Sequence, residues 1–451
     1  MENPRNFDEP VHPKNFEEAF AQKIALETAA EKPPKNSADK KVRLIIIIVA
    51  FALIILGMLA YLIFFMETSP LYYFWSAEEK IQDSREATSV DSPDNSPAKI
   101  AETNPEKSAK KYYSTLSGEE LSSESLNSSP TFCVQIPNGV DGARPQAGLD
   151  DAKIVFEAIA EAGITRFAAI FQNPTAAAIG PIRSLRIYYY DWDVPFNCAV
   201  VHSGGAPDAI SALNSSTSLR NLDENLTYMW RSSSNATLNR LWNNLFTSSE
   251  NLKKYSSDKS YLSSDIQSFS HFTPDEEKLE KINAQVAEKL DIDEPANGNT
   301  ELLSPKVKKI SIDMSMPTFN PVFTYNSEKN SYDRSYATGA AHEVYHCTEE
   351  KADLTPEIDC PSVQLSPKVV VAMMVEERKQ SDNYHEDIST LGTDDAYIFE
   401  NGIVIEGTWE KSAKNTQIIF RDKAGNIIKL NSGQTWITAV PRSYGGSVVY
   451  E

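Results

Sequence analysis

Apolar and polar positions divide this chain into three regimes. From Leu44 to Phe65 the sequence reads LIIIIVAFALIILGMLAYLIFF, without a charged side chain. As a helix rising about 1.5 Å per residue, this stretch reaches roughly 33 Å, enough to cross a hydrocarbon core of about 30 Å. A single span has no other way to satisfy its backbone inside lipid. From Lys80 to Ser129 the pattern reverses: Ser, Glu, Asn, Pro and Lys dominate and aliphatics are sparse, which predicts a disordered stalk over 66–130. From Thr131 onward short apolar runs alternate with turn signals, as in a folded α+β protein.

Within the third regime the runs predict particular elements. TFCVQIPN reads as a strand ending at Pro137-Asn138-Gly139, and AKIVFEAIAEAG as a helix stopped by Gly163. ITRFAAIFQ is a strand broken at Asn173-Pro174, IGPIRSLRIYYYDWD runs from loop into helix, and NCAVVHSGG is an apolar strand ending at His202. Residues 275–290 read as a charged amphipathic helix, and Asn297-Gly298-Asn299 as a boundary. The remainder is strand-rich: VKKISIDM, FTYNS, KVVVAMMVEE, AYIFENGIVIEGTW, TQIIFRDKAGNIIKL and TWITAV. Asn401-Gly402 and Ala424-Gly425-Asn426 mark hairpins. The predicted organisation is a cytoplasmic tail over 1–43, a span over 44–65, a stalk over 66–130, a mixed α/β domain over 131–300, a β-rich domain over 301–442 and a tail over 443–451.

Charge orients the span. Lys32, Lys35, Lys40, Lys41 and Arg43 precede it, while Tyr72, Tyr73, Phe74, Trp75, Glu78 and Glu79 follow. Basic flanks stay in the cytoplasm and aromatic residues settle at the interface, so the N-terminus is inside and the bulk of the chain outside. The apolar run is too long for a cleavable signal peptide and lacks a small-x-small site, and no cysteine follows closely enough for lipid attachment. The expectation is a single-pass signal anchor in the cell membrane. The net charge of −20 lies entirely beyond residue 43 and disfavours nucleic acid as a partner. Four cysteines in an exported chain allow three connectivities. Spacing leaves the connectivity open; Cys347 with Cys360 is the local and cheapest pair, Cys133 and Cys198 each sit in an apolar strand-like run, and four buried free thiols are the alternative.

The runs Ala143-Arg144-Pro145-Gln146, Gly163-Ile164-Thr165-Arg166-Phe167, Gly180-Pro181-Ile182-Arg183-Ser184 and Val201-His202-Ser203-Gly204-Gly205 follow one another in an order that resembles YerB-like proteins. Tyr332-Asp333-Arg334, Gly407-Thr408-Trp409 and Gly433-Gln434-Thr435-Trp436 resemble the C-terminal half of that family. The resemblance covers about 136–441. It implies a bacterial envelope protein, from a family described as lipoproteins with a domain of unknown function, and it supplies no activity. Where family members tend to carry Pro-His-Asn, this chain has Trp242-Asn243-Asn244, and a membrane helix replaces the lipid anchor.

Candidate chemistry concentrates in the first half. Arg144, Arg166, Arg183 and Arg186 fall near strand ends or turns, where arginine forks bind carboxylate or phosphate. Glu157 and Glu161, read as one helical turn apart, would share a face. His202 leads into Ser203-Gly204-Gly205, a turn whose N–H groups can cradle an anion. Mutual ion pairing of these Arg and Glu residues as scaffold is the plainer account. His342-Glu343-Val344-Tyr345-His346 matches H-E-x-x-H, but nearby Gly339 and Pro356 argue against the helix that a zinc site needs. The acidic run Asp382, His385, Glu386, Asp387, Asp394, Asp395 lacks EF-hand spacing and reads as a solvated loop. No cofactor is expected.

Two functions remain open on sequence alone. One is an envelope module that binds a cell-wall, glycan or other anionic ligand, or a protein partner, through Arg144, Arg166 and Arg183. The other is an envelope hydrolase using Glu157, Glu161 and His202 or, less favoured, a metal at His342 and His346.

Overall fold

In a computed structural model, the described residues are 110–232, 243–278, 306–349 and 354–451. The span over 44–65, the tail before it and the boundary at 297–299 lie outside them, as does the 275–290 helix beyond Lys278. No helix among the described residues is long and apolar enough to cross a membrane.

A ten-stranded mixed sheet organises the fold. Its strands are β1 (Thr131–Pro137), β2 (Ile154–Glu161), β3 (Ile164–Gln172), β4 (Ala199–His202), β5 (Arg220–Asp223), β6 (Val369–Val375), β7 (Gly392–Glu400), β8 (Ile403–Lys411), β9 (Ile419–Asp422) and β10 (Thr435–Pro441). They lie in the order β9-β8-β7-β6-β10-β2-β3-β1-β4-β5. The seam between the two halves of the chain is the parallel pair β10 and β2, where Trp436 lies opposite Val155 and Thr438 opposite Glu157. The two halves therefore share one sheet.

Each face of the sheet has its own cover. Val155, Phe167, Val201, Val370, Phe399 and Trp436 pack with Ile310, Ile312, Phe323 and Tyr332 of a smaller sheet. That sheet joins Lys309–Asp313, Pro321–Asn326, Ser331–Tyr336 and Ser447–Tyr450. The opposite face carries Phe156, Ile170, Val200, Val371 and Ile437 against helix α1 (Ile187–Asp193) and helix α2 (Pro207–Asn214). Alternation along each strand delivers side chains to both covers, so β1, β2, β3 and β6 bury nearly every residue.

That double burial corrects one element. AKIVFEAIAEAG is strand β2, not a helix: a continuous apolar run fits a strand buried on both sides as well as it fits a buried helix. Two boundaries also change. Order begins by Lys110, because Tyr112–Tyr113 pairs with Glu120–Leu121 and fully buried Leu116 joins the helix-side core. The 443–451 segment is no tail; Ser447–Tyr450 pairs with Lys309–Asp313. The hairpin at Asn401-Gly402 forms as expected, with both residues at positive φ.

The cysteines are joined as Cys133–Cys198 and Cys347–Cys360. The first bond ties neighbouring parallel strands, since Cys133 lies opposite Val200, and the second closes a loop in the C-terminal half.

Candidate functional site

Strands β5, β4, β1, β2, β10 and β6 run in one direction, with β3 antiparallel between β1 and β2. Their carboxyl ends line a single edge of the sheet, the place where open α/β sheets gather ligands. Asn138, Glu161, His202, Glu224 and Arg442 stand at or just past these ends, with Arg166 entering from β3. The loop through Arg183 threads the same edge. Arg183 N–H donates to the Gln135 carbonyl at 2.8 Å, and Ser203 N–H donates to the Arg183 carbonyl at 3.1 Å.

A β-bulge decides which face each glutamate reaches. Pairing of β2 with β3 shifts by one residue between Ile159 and Glu161, so these carboxylates point to opposite sides of the sheet. The helical face shared by Glu157 and Glu161 does not exist. Fully buried Glu157 accepts from Arg334 Nη2 at 3.0 and 2.9 Å, from Trp436 Nε1 at 2.9 Å and from Thr165 Oγ1 at 3.2 Å. Arg334 lies among the rings of Tyr336 (4.8 Å) and Trp436 (4.7 Å) and also bonds His342 Nδ1. Since that nitrogen accepts, His342 Nε2 donates to Gln146 Oε1 at 2.9 Å. Burial, then Arg334 and Arg144, hold the His342 imidazole well below its ordinary pKa and therefore neutral.

This disposes of the zinc motif. Glu343–Tyr345 is a strand, in which four residues span roughly 13 Å, so His342 and His346 cannot share one ion. His342 belongs to the Arg334 network, while exposed His346 bonds Asp150 at 2.5 Å. Among the described residues, one group has the proximity of metal ligands: Cys133, Asp193 and Cys198. Its sulfurs are already joined to each other.

Glu161, on the helix side, binds Arg166 at 3.2 Å and also binds Arg186; Arg166 Nη1 donates to the Ser184 carbonyl at 2.7 Å. Arg144 lies 3.8 Å over the Tyr336 ring and donates to Asn138 Oδ1 at 2.7 Å and the Thr318 carbonyl at 2.8 Å. His202 is buried with Nδ1 on the Gly204 carbonyl at 2.8 Å and Nε2 on Asn221 Oδ1 at 2.9 Å. Ser203 Oγ donates to Glu224 at 2.7 Å, and Gly204 N–H donates to Asp223 at 3.1 Å. Gly205 is a fit to its neighbours, since a Cβ there would meet Ile210 at 2.8 Å and the Leu185 carbonyl at 3.1 Å. The Ser203 hydroxyl and the N–H groups of Ser203 and Gly204 are therefore engaged within the protein.

Arg183 stands apart. Half-buried, it has no carboxylate partner for its guanidinium among the described residues. Burial lowers its pKa, and the nearby charges of Arg166 and Arg231 add to that effect, with Asp141 and Tyr384 opposing. Asp141 itself accepts from Asn243 Nδ2 at 3.1 Å, and Arg231 Nη1 donates to Asn244 Oδ1 at 2.9 Å, so the asparagines after Trp242 border this corner.

Sequence reasoning passed over a second group on the edge. The acidic run is no loose loop: Glu377–Lys379 and Glu386–Ile388 form a hairpin, and His385 bridges to Glu161 across it. Lys379, Glu386 and Tyr444 line an open cleft of about 410 Å³ with Ile159, Asp313 and Met314. VEERKQ holds one apolar residue and no period-two alternation, so the sequence carried no signal for this strand.

Residues 116–262 and 310–437 match the N-terminal and C-terminal domains of a family described as protein of unknown function (DUF3048). The chain is 26% identical over 335 residues to "Putative lipoprotein YerB" of Bacillus subtilis (strain 168), covering 74% of this chain and 87% of that protein. It is also similar to the crystal structure of YerB protein from Bacillus subtilis, with a TM-score of 0.56 at 22% identity over 75% of this chain and 99% of that one. At that identity the structural likeness establishes the fold alone.

Proposed function

This chain belongs to the DUF3048 family, carrying its N- and C-terminal domains in order, and on that footing we propose an extracytoplasmic envelope protein that binds an anionic ligand at Arg183. Two disulfides fit an oxidising compartment, and the name of the Bacillus subtilis relative includes the word lipoprotein. In this reading Leu44–Phe65 anchors the chain in one pass with its N-terminus inside. The ligand is a cell-wall polymer, a charged glycan or an acidic surface of an envelope protein.

One observation carries the binding reading. Of the five arginines gathered near this edge, Arg144, Arg166, Arg186 and Arg231 already hold acceptors, while Arg183 has a guanidinium free of carboxylates among the described residues. A partly desolvated guanidinium beside other cations gains most from an incoming carboxylate or phosphate fork. The hydrolase alternative has no such support, because Glu157, Glu161 and His202 are all engaged in internal bonds.

Titrating the detergent-solubilised full chain with poly(glycerol phosphate), and separately with a neutral chito-oligosaccharide, tests the reading. Binding of the anionic polymer is expected to weaken at least about tenfold in Arg183→Gln, from the loss of a charged hydrogen bond, and to fall with salt. Unchanged affinity in that variant sinks the Arg183 site.

A further inference from the structure

Glu377 is the most anomalous group on the edge. It is 2% exposed, and neither carboxylate oxygen has a hydrogen-bond partner among the described residues. Buried polar groups almost always find one, so an unpartnered carboxyl calls for a reason. Its position supplies the setting. Glu377 opens a two-stranded hairpin outside the central sheet, in which Lys379 lies opposite Glu386 and Glu377 opposite Ile388. Strand alternation puts Glu377 and Lys379 on one face.

The groups around Glu377 come from four sides. On the hairpin, Glu386 and Lys379 bond to each other. From the Arg442–Tyr444 turn, the Tyr444 hydroxyl reaches Glu386 at 3.5 Å, while Arg442 is held by Asp394 and Asp395. Tyr188 of α1 feels the charges of both glutamates as well as Arg166 and Arg186. At the end of β2, Glu161 is paired with those two arginines. Every cation in this set has an anion already, so an ionised Glu377 would be buried beside Glu386 with no counter-charge of its own. Burial first, then Glu386, push the Glu377 carboxyl up to about 8, with Lys379 opposing.

We propose that the Glu377–Ile388 hairpin is a proton-latched flap: the neutral acid lets it seat on the sheet edge, and loss of that proton lifts it. Opening passes the Glu377 proton to water or buffer, and no covalent bond between heavy atoms changes. Opening must break the bridge from His385 to Glu161, Gln380 Nε2 to Asp208 at 3.3 Å, the Glu377 N–H on Ser443 Oγ at 2.9 Å, the bond from Ser443 Oγ to the Glu377 carbonyl, and the packing of Ile388 in the helix-side core. The tip carries Tyr384, which is 56% exposed and close enough to influence Arg166, Arg183 and Arg186. The flap therefore sits beside the Arg183 corner. Its existence does not depend on anion binding there; only its effect on ligand access rests on that reading.

The sign follows from the two states. With the flap open, Glu377 meets water and titrates near the ordinary value of about 4.3. Between there and about 8 the closed state holds more protons than the open one, so closure weakens as pH rises. It has full support below that interval and none from this group above it.

Amide hydrogen exchange of the full chain in detergent, corrected for intrinsic rates, reads the flap directly. Opening constants across 379–388 are expected to rise at least about tenfold between about pH 6 and about pH 9 in the wild type, and less than about twofold in Glu377→Gln, which mimics the neutral acid. Glu386→Gln removes the repelling neighbour and should move the transition to lower pH. The same rise in Glu377→Gln, or none in the wild type, overturns the latch. Calcium that restores protection at high pH as fully as acid does would also overturn it, by making the carboxyl pair a cation site.

Discussion

At the scale of single residues, the junction of the two halves depends on Glu157 and Arg334. Both are fully buried, and the guanidinium meets the carboxylate in two hydrogen bonds while aromatic rings close around it. Such a pair is costly to desolvate but far costlier to leave half-made. Replacing Arg334 with Leu strands a buried carboxylate with only Trp436 and Thr165 as donors, and should cost about 3–5 kcal/mol. Urea unfolding should show the midpoint fall with the slope unchanged. The double variant Glu157→Met, Arg334→Met should recover a good part of that loss, because two well-packed apolar side chains need no counter-charge. No recovery would mean that ring packing, rather than charge, explains the site. The sequence offered Glu157 as a candidate acid and Arg334 only as part of a family-like run. Nothing local joins residues 177 positions apart, and that distance is why the scaffold account could not be separated from the ligand account.

At the scale of elements, the disulfides divide their effects by loop length. Cys133–Cys198 is separated by 65 residues and Cys347–Cys360 by 13. In the chain-entropy account these amount to about 4 and about 3 kcal/mol, so Ala replacement of the first pair should cost more than replacement of the second. Guanidinium unfolding of the two paired variants reads the order, and a reversed order counts against the entropic account. Spacing favoured the local pair only as the cheapest of three connectivities and did not separate bonds from free thiols, so the long bond became visible only once the strands holding Cys133 and Cys198 lay side by side. Strand β2 was not legible as a strand. Its apolar residues are continuous because both faces are covered, and one sequence contains no signal for what covers them. Strands with turn signals at their ends, such as β1, β3 and the Asn401-Gly402 hairpin, were readable because glycine, proline and asparagine act locally. The bulge in β2 had no such mark, and it alone separates the environments of Glu157 and Glu161.

At the scale of the whole described unit, the two family domains are not two folding units. Strand β2 from the first hydrogen-bonds to β10 from the second, and the sheet continues unbroken through that seam. Small-sheet residues Ile310, Phe323 and Tyr332 pack in one core with Val134, Val155 and Phe171 of the first half. Cutting the chain between residues 278 and 306 would leave β2 as an unpaired edge with an apolar surface beside it, the arrangement that sheets avoid. Glu157 would lose Arg334 and Trp436 together. The fragment 110–305 is therefore expected to lack a cooperative transition in circular dichroism and to aggregate, and 306–451 to behave likewise. Co-expressed, the two fragments should copurify and regain a single transition, because the seam is rebuilt by parallel pairing and one buried ion pair rather than by the linker. A cooperative, soluble 110–305 fragment would show that the seam is an interface between independent domains. The carboxyl edge would then be assembled by docking, whereas a shared sheet brings Glu161, Arg183 and the seat of the Glu377 hairpin together as the chain folds.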